Sequence, residues 1–277
     1  RLGETCRRAD LLARARETGL LTHLGATWFT IHPALPWFLR QLFARHYDGQ
    51  NGRSTTQAAL RAWVEAVGQL GDYYHGQFNE GNRGVIQMLE LEEANLLHAR
   101  RLARRNQWWH PVIACMQGLD ELYGYQARTA EWARLVEEVR PDFCTAADEP
   151  IAGFEANFSI VMQYRVLLAC DHERDLAKAT ALQEKRVEWN RQQAAAALAL
   201  PADAPLEDKH RNRLRTLAVS IEMLGHMLRD TDKAHCLPRY QEAIRTYQRI
   251  QDKAAEAVAE FNLGHAYKNV PSIRDLA

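Results

Sequence analysis

At 277 residues, with 47% hydrophobic and 25% charged side chains, the chain is long enough for one large domain, two small ones or an array of stacked short units. Its formal net charge is zero, which argues against a dedicated nucleic-acid surface, because neutralising phosphates takes a basic excess on the binding face. The cysteines Cys6, Cys115, Cys144, Cys170 and Cys236 are widely spaced and form no CxxC pair, so neither a disulfide framework nor a zinc knuckle is indicated.

No apolar run approaches the ~20 residues that cross a bilayer, no secretory leader pattern is present, and a cytoplasmic setting is expected. The chain opens at Arg1 on a helical pattern and stops at Ala277 in a segment that continues one, so a piece of a longer protein is expected.

Leu20 to Leu24 and Thr27 to Ile31 favour strand and flank Gly25-Ala26, which predicts a small hairpin. Pro33 and Pro36 then open a helix through Trp37, Phe38, Leu42 and Phe43. Helix, hairpin, helix fits the wing end of a winged-helix module and equally a short decorative hairpin. Leu60, Trp63, Val67, Leu70, Tyr74 and Phe78 step by three and four and predict one apolar helix face; Leu89, Leu96, Ala99 and Ala103 predict a second. Arg100, Arg101, Arg104 and Arg105 follow Glu90, Glu92 and Glu93 on that helix, acid early and base late, as the helix dipole favours.

Between residues 84 and 140 further helix pairs are expected, with Trp108, Trp109, Leu119, Leu122 and Trp132 as packing residues. Tyr164 to Val187 reads as a diverged hairpin turning near Asp171 to Asp175. Leu214, Leu217, Ile221, Leu224 and Leu228 form a third apolar face. Breaks are predicted at 48–54, 79–83, 141–150 and 201–205, leaving long helices joined by short turns, the pattern of stacked hairpins.

Leu224-Gly225 recurs as Leu263-Gly264, with Tyr240, Ala243, Ile244 and Tyr247 between them. Gly225, Ala243 and Gly264 are expected where antiparallel helices cross closely, with Leu and Tyr filling the space beside them. One such hairpin leaves a face uncovered, so neighbours must stack.

On these residues the sequence resembles the tetratricopeptide repeat (TPR) family. Asn262-Leu263-Gly264 with Ala266 and Tyr267 is similar to the family's first helix, and Tyr240, Ala243, Ile244 and Tyr247 to its second. The two Leu-Gly pairs stand about five residues further apart than the family's ~34. The surplus is expected as a loop at Asp230 to Pro238, and Glu260 stands where the family usually has a large aromatic.

A second resemblance covers the N-terminal half. Gly19-Leu20-Leu21-Thr22, then Phe29-Thr30-Ile31-His32-Pro33, resembles the end of the winged-helix module of STAND signalling ATPases. Glu93-Ala94-Asn95-Leu96 with Ala99 resembles the first helices of the sensor arm that follows it. Together the resemblances imply an all-α fold, an α-α superhelix of antiparallel TPR-like hairpins with a small winged-helix-like β-hairpin near the start. The expected divisions are a winged-helix-like remnant over 1–48, a helical arm over 53–148 and TPR-like repeats over 149–277.

Neither a GxxxxGK[ST] phosphate loop nor a GxGxxG turn is present, so no nucleotide site is expected within this chain. Its eleven histidines lack HExxH or zinc-ligand spacing, adjacent pairs such as Glu92-Glu93 diverge on a helix, and no enzyme activity, metal or cofactor is expected.

If the family's ligand face carries over by position, partner contacts fall at Glu222, His226, Arg229 and Asp230, then at Phe261, His265, Lys268 and Asn269. All but Phe261 are polar, suited to reading a peptide through side-chain hydrogen bonds. The expectation is therefore a non-catalytic sensor and autoinhibitory arm of a STAND-type signalling protein, in bacterial regulation or defence. Its partners would be a protein or peptide ligand and the parent's nucleotide-binding core. The alternative is a free-standing TPR scaffold or peptide receptor.

Overall fold

The computed structural model describes residues 8–25, 28–32, 35–47, 53–231 and 233–269. They are mostly helical. A first helix α1 (Arg8–Glu17) leads into strands β1 (Leu21–Gly25) and β2 (Trp28–Ile31), and α2 (Leu35–Tyr47) follows. The strands pair antiparallel, Leu21 opposite Ile31 and His23 opposite Phe29, with a register shift between His23 and Gly25. Gly25 takes φ +118°, a conformation that L side chains rarely adopt. The hairpin predicted from the sequence is present.

Beyond it run α3 (Arg53–Asn79), α4 (Val85–Arg105), α5 (Trp109–Tyr125), α6 (Thr129–Phe143), α7 (Glu155–Asp171), α8 (Leu176–Leu198), α9 (Asp208–Thr231), α10 (Lys233–Ile250) and α11 (Lys253–Asn269). None of these helices is long and apolar enough to cross a membrane. The chain divides into two compact units, Arg1–Leu119 and Asp120–Ala277.

In the first unit α3 and α4 are antiparallel: Gln57 reaches Asn106 near one end, and the Trp63 ring lies 5.6 Å from that of His98 further along. Leu89, Leu96, Ala99 and Ala103 are all buried, as their spacing predicts. The face of α3 differs from the expected one. Of its six predicted residues only Val67 is buried, and Trp63 is 37% exposed.

The covered face of α3 is Val64, Val67, Gly68 and Gly71, because glycines admit a second backbone. A Cβ on Gly71 would stand 2.7 Å from the Ala114 carbonyl oxygen, and one on Gly118 would stand 2.9 Å from the Gly71 Cα. Helices α3 and α5 therefore cross main chain to main chain. Arg100, one of the basic residues read as complementing the helix dipole, is buried beside Cys115. Its position coincides with the Leu96–Ala99–Ala103 face, so burial of that face carries the guanidinium inward.

In the second unit the strongest helix contacts link chain neighbours: α6 with α7, α7 with α8, α8 with α9, α9 with α10, and α10 with α11. The α7–α8 hairpin turns between Asp171 and Leu176, where expected, and Asp175 caps α8 by accepting the Lys178 amide at 2.9 Å. Helices α9 and α10 are antiparallel, as the contacts Arg215–Asp252, Glu222–Tyr247 and His226–Tyr240 show by running in opposite directions along the two. Leu214, Leu217, Ile221, Leu224 and Leu228 all enter the core of this unit with Tyr240, Ala243 and Tyr247. Some links skip a helix: Arg191 of α8 pairs with Glu242 of α10 at 2.7 Å, Arg249 Nη2 of α10 donates to the Leu200 carbonyl just beyond α8 at 2.8 Å, and Asn262 of α11 donates to Glu222 of α9 at 2.9 Å.

Two expectations are corrected here. Asp230 to Pro238 is not a loop: α9 runs to Thr231 and α10 starts at Lys233, with Pro238 inside it. Burial of Cys236 and Tyr240 on one face of α10 accounts for the extra helix, and offsets the one helical hydrogen bond that Pro238, sixth in the helix, cannot donate. Gly264 does not lie at a helix crossing; it is exposed, with nothing near the place a Cβ would take. Gly225 and Ala243 do behave as expected. Both are buried, and a Cβ on Gly225 would meet the Tyr240 ring at 3.2 Å.

One turn recurs. At Gln107, Ala127 and Gln251 a non-glycine residue takes φ of 58°, 55° and 59°. In each case the next amide donates back five residues: Trp108 to Ala103, Arg128 to Tyr123 and Asp252 to Tyr247, at 2.9 to 3.0 Å. These are Schellman closures that satisfy the last carbonyls of one helix and launch the next.

The buried thiols give the fold a pH dependence. Burial pushes Cys115 up to about 12, against the pull of Arg100, and Cys144 up to about 11, against Arg165 and Arg140. An unfolded thiol titrates near ~8.5, so the folded chain holds protons that the unfolded chain releases. That stabilisation is complete below about pH 8.5 and is lost as pH rises towards the folded values. The urea midpoint is expected to fall between pH 8 and pH 10, and a Cys115→Ala, Cys144→Ala variant is expected to show a shallower slope.

Candidate functional site

The α9–α11 region brings together part of the predicted partner face, though not as a free groove. Glu222 on α9 accepts the hydroxyl of Tyr247 on α10 at 3.0 Å on one oxygen and Asn262 Nδ2 of α11 at 2.9 Å on the other. His226, one turn further along α9, holds Tyr240 Oη at 3.0 Å through Nδ1 and stands 3.5 Å from Asn262 Nδ2 through Nε2. The Tyr240 ring meets the imidazole edge-on, with centroids 5.4 Å apart. Burial first, and then the Glu222 carboxylate, push the Tyr247 hydroxyl far above the usual phenol range, so it remains a donor at any ordinary pH.

Glu222 and His226 are thus joined in a network across three helices, and Asn262, which repeat matching assigned only to helix packing, is its centre. The remaining predicted residues separate from it. Phe261, 72% exposed, stacks with His265 at 6.5 Å on the outer face of α11, and Lys268 lies exposed on the same stripe with Val258. Arg229 is half-buried near the end of α9. The side chains of Asp230 and Asn269 lie outside the described residues.

A second polar group was not legible. Gln183, Arg186 and Asn190 follow one another at helical spacing down α8, and all three are buried. Gln183 donates to the Ser220 carbonyl, while Arg186 reaches Ser159 at 3.2 Å and Gln163 at 2.6 Å. Polar residues at the spacing of an apolar stripe were the available signal. Sequence reading places such residues on the solvated side by default.

Beside this stripe, a cavity of about 350 Å³ has the Phe158 and Trp189 rings, 5.3 Å apart and edge-on, in its wall. Lys185 crosses its rim to Glu149 at 3.1 Å and to the Ala147 carbonyl at 2.7 Å. Among the described residues no three His, Cys, Asp or Glu side chains converge into a metal-binding group. Comparison with protein-family models, with curated proteins and with solved structures finds no match.

Proposed function

We propose that the chain is a non-catalytic protein-binding arm built of TPR-like helical hairpins. The observation that carries this reading is the packing of the second unit. Each helix packs chiefly on the one before and the one after it, and the α9–α10 pair closes through Gly225, Ala243 and Tyr240. An array in which each element packs chiefly on its neighbours exposes long helix faces rather than one enclosed pocket, which suits binding of an extended partner. The recurring Schellman turns, two of them within the second unit, add a local structural period to the Leu-Gly one.

The narrower reading is that this arm serves a STAND-type signalling protein. It would hold the parent's nucleotide-binding core inactive until a trigger binds the arm more tightly in its released state. The winged-helix-like order of α1, β1, β2 and α2 at the start supports it. The predicted partner face is that of Arg229, half-buried near the end of α9, and Lys268, exposed on α11.

The test uses the purified chain. It is expected to be a helical monomer that does not hydrolyse ATP and that captures the parent's nucleotide-binding core. Arg229→Glu with Lys268→Glu is expected to reduce that capture by about tenfold, the scale of one to two lost charge contacts. Unchanged capture counts against this face, and ATP turnover by the chain alone ends the reading.

A further inference from the structure

A second cavity, separate from the one walled by Phe158 and reached by Asn190 of the buried polar stripe of α8, has a chemistry that the partner face does not use. It measures about 280 Å³ and lies among α7, α8 and α9. Asn190 and Ser159 line it, with Trp189 as an apolar wall and Arg213 and Glu155 among the remaining lining residues. Asn190 is 4% exposed, and its Nδ2 has no hydrogen-bond partner. A buried amide donor left unmade is costly, and native structures rarely keep one without a use.

Arg186 adds charge to that donor. It sits one helical turn before Asn190 on the same face of α8, 3% exposed, with no carboxylate among its partners. Instead its Nε donates to Ser159 Oγ at 3.2 Å. The Ser159 oxygen is thereby an acceptor towards α8, which leaves its proton to be donated into the cavity. Burial alone depresses the Arg186 pKa to about 10, so the side chain stays cationic at neutral pH.

We propose that this cavity binds a single carboxylate group presented by a peptide or a small acid. Asn190 Nδ2 and the Ser159 hydroxyl would donate to it, and Arg186, acting through Ser159, supplies the compensating charge.

Charge and size both select this ligand. Arg186 and Arg213 contribute two positive charges. Glu155 contributes one negative charge, and its carboxyl is already held below the usual range by the Gly153 and Glu155 amides at the start of α7. One unit of positive charge is left over, which matches a carboxylate better than a doubly charged phosphate. A volume of about 280 Å³ takes a group the size of one residue, below the range of pockets that enclose drug-sized ligands. The inference needs only α7, α8 and α9, and does not rest on the repeat reading or on the Arg229 and Lys268 face.

The test is a titration of the full chain, followed at the Asn190 side-chain amide by NMR. The probes are acetyl-Gly-Ala with a free terminal carboxylate, acetyl-Asp-Ala amide with only a side-chain carboxylate, acetyl-Gly-Ala amide with neither, and inorganic phosphate. A saturable shift with at least one carboxylate probe, and none with the neutral amide, is expected. The tighter of the first two probes identifies the source as a chain terminus or an acidic side chain. Arg186→Met is expected to weaken binding at least tenfold while raising the melting temperature, because it removes a buried charge without a counter-ion. Asn190→Ala, which lacks the reporting amide and is therefore followed by titration calorimetry, is expected to show the same loss.

Three results would overturn the proposal. They are no shift with either carboxylate probe, equal binding of the neutral amide, and phosphate binding tighter than both carboxylates.

Discussion

Gly71→Ala is expected to lower the stability of the chain by about 2 kcal/mol, whereas Gly76→Ala, five residues along the same helix, is expected to raise it by ~0.5–1 kcal/mol. The two substitutions add the same methyl group and bring the same gain in helix propensity. They differ in what the methyl meets. At Gly76 nothing lies within 4 Å, so the propensity gain stands alone. At Gly71 the new Cβ would stand 2.7 Å from the Ala114 carbonyl oxygen and 3.1 Å from Leu96 Cδ2. The leucine can turn away. A main-chain oxygen in the middle of α5 cannot, so α3 and α5 must separate, and overpacking of this kind costs ~1–3 kcal/mol or more.

Gly118→Ala meets Gly71 itself, at 2.9 Å from its Cα, so the two substitutions strain one contact. Once either has parted the helices the other has room, and the double variant is expected to lose less than the sum of the single losses. Urea midpoints of the four proteins check this. If Gly71→Ala were as stabilising as Gly76→Ala, the close crossing would not exist.

Tyr240→Ala is expected to cost ~3–5 kcal/mol and to depress the melting temperature by roughly 10 °C. The ring is fully buried, fills the space that Gly225 leaves on α9, and carries the hydroxyl that binds His226. Tyr240→Phe keeps the volume and loses the hydrogen bond alone, about 1 kcal/mol. Phe261→Ala removes an aromatic of similar size from the face of α11 that is 72% exposed, and should change stability by less than ~0.5 kcal/mol. Thermal melts of the three variants separate the volume, the hydroxyl and the position. A loss from Phe261→Ala comparable to that from Tyr240→Ala would mean that α11 is covered on that face.

The parts of this fold legible in the sequence were those written in apolar side chains. The hairpin around Gly25, the Leu214–Leu228 face, the break before Pro201 and the Gly225–Tyr240–Ala243 crossing all follow from period and punctuation. The α3–α5 crossing did not, because a glycine contact has no side chain to count, and periodicity directed attention to the larger side chains such as Trp63 beside it. Arg100, Arg186 and Asn190 escaped for the opposite reason. A polar residue carries a strong prior for solvent, and only tertiary packing reveals that it has been drawn inside.

The partner face was legible only as a position within a repeat. Position alone did not show that Glu222 and His226 would spend their bonding capacity on Tyr247, Asn262 and Tyr240 rather than on a ligand. Gly264 matched the repeat as well as Gly225 does, yet only Gly225 has a ring opposite it.

The links between α8 and α10 that bypass α9 bear on how the second unit comes apart. A strictly nearest-neighbour stack melts in pieces, since losing one member leaves the rest intact on either side. Arg249 instead ties α10 to the Leu200 and Pro201 carbonyls in the turn after α8, and Arg191 ties α8 to Glu242 on α10, so loss of α9 disturbs both flanking helices. Such stitching turns a row of separable pieces into one cooperative block. Amide exchange across α8, α9 and α10 would then proceed through a shared opening, at a common free energy, rather than helix by helix.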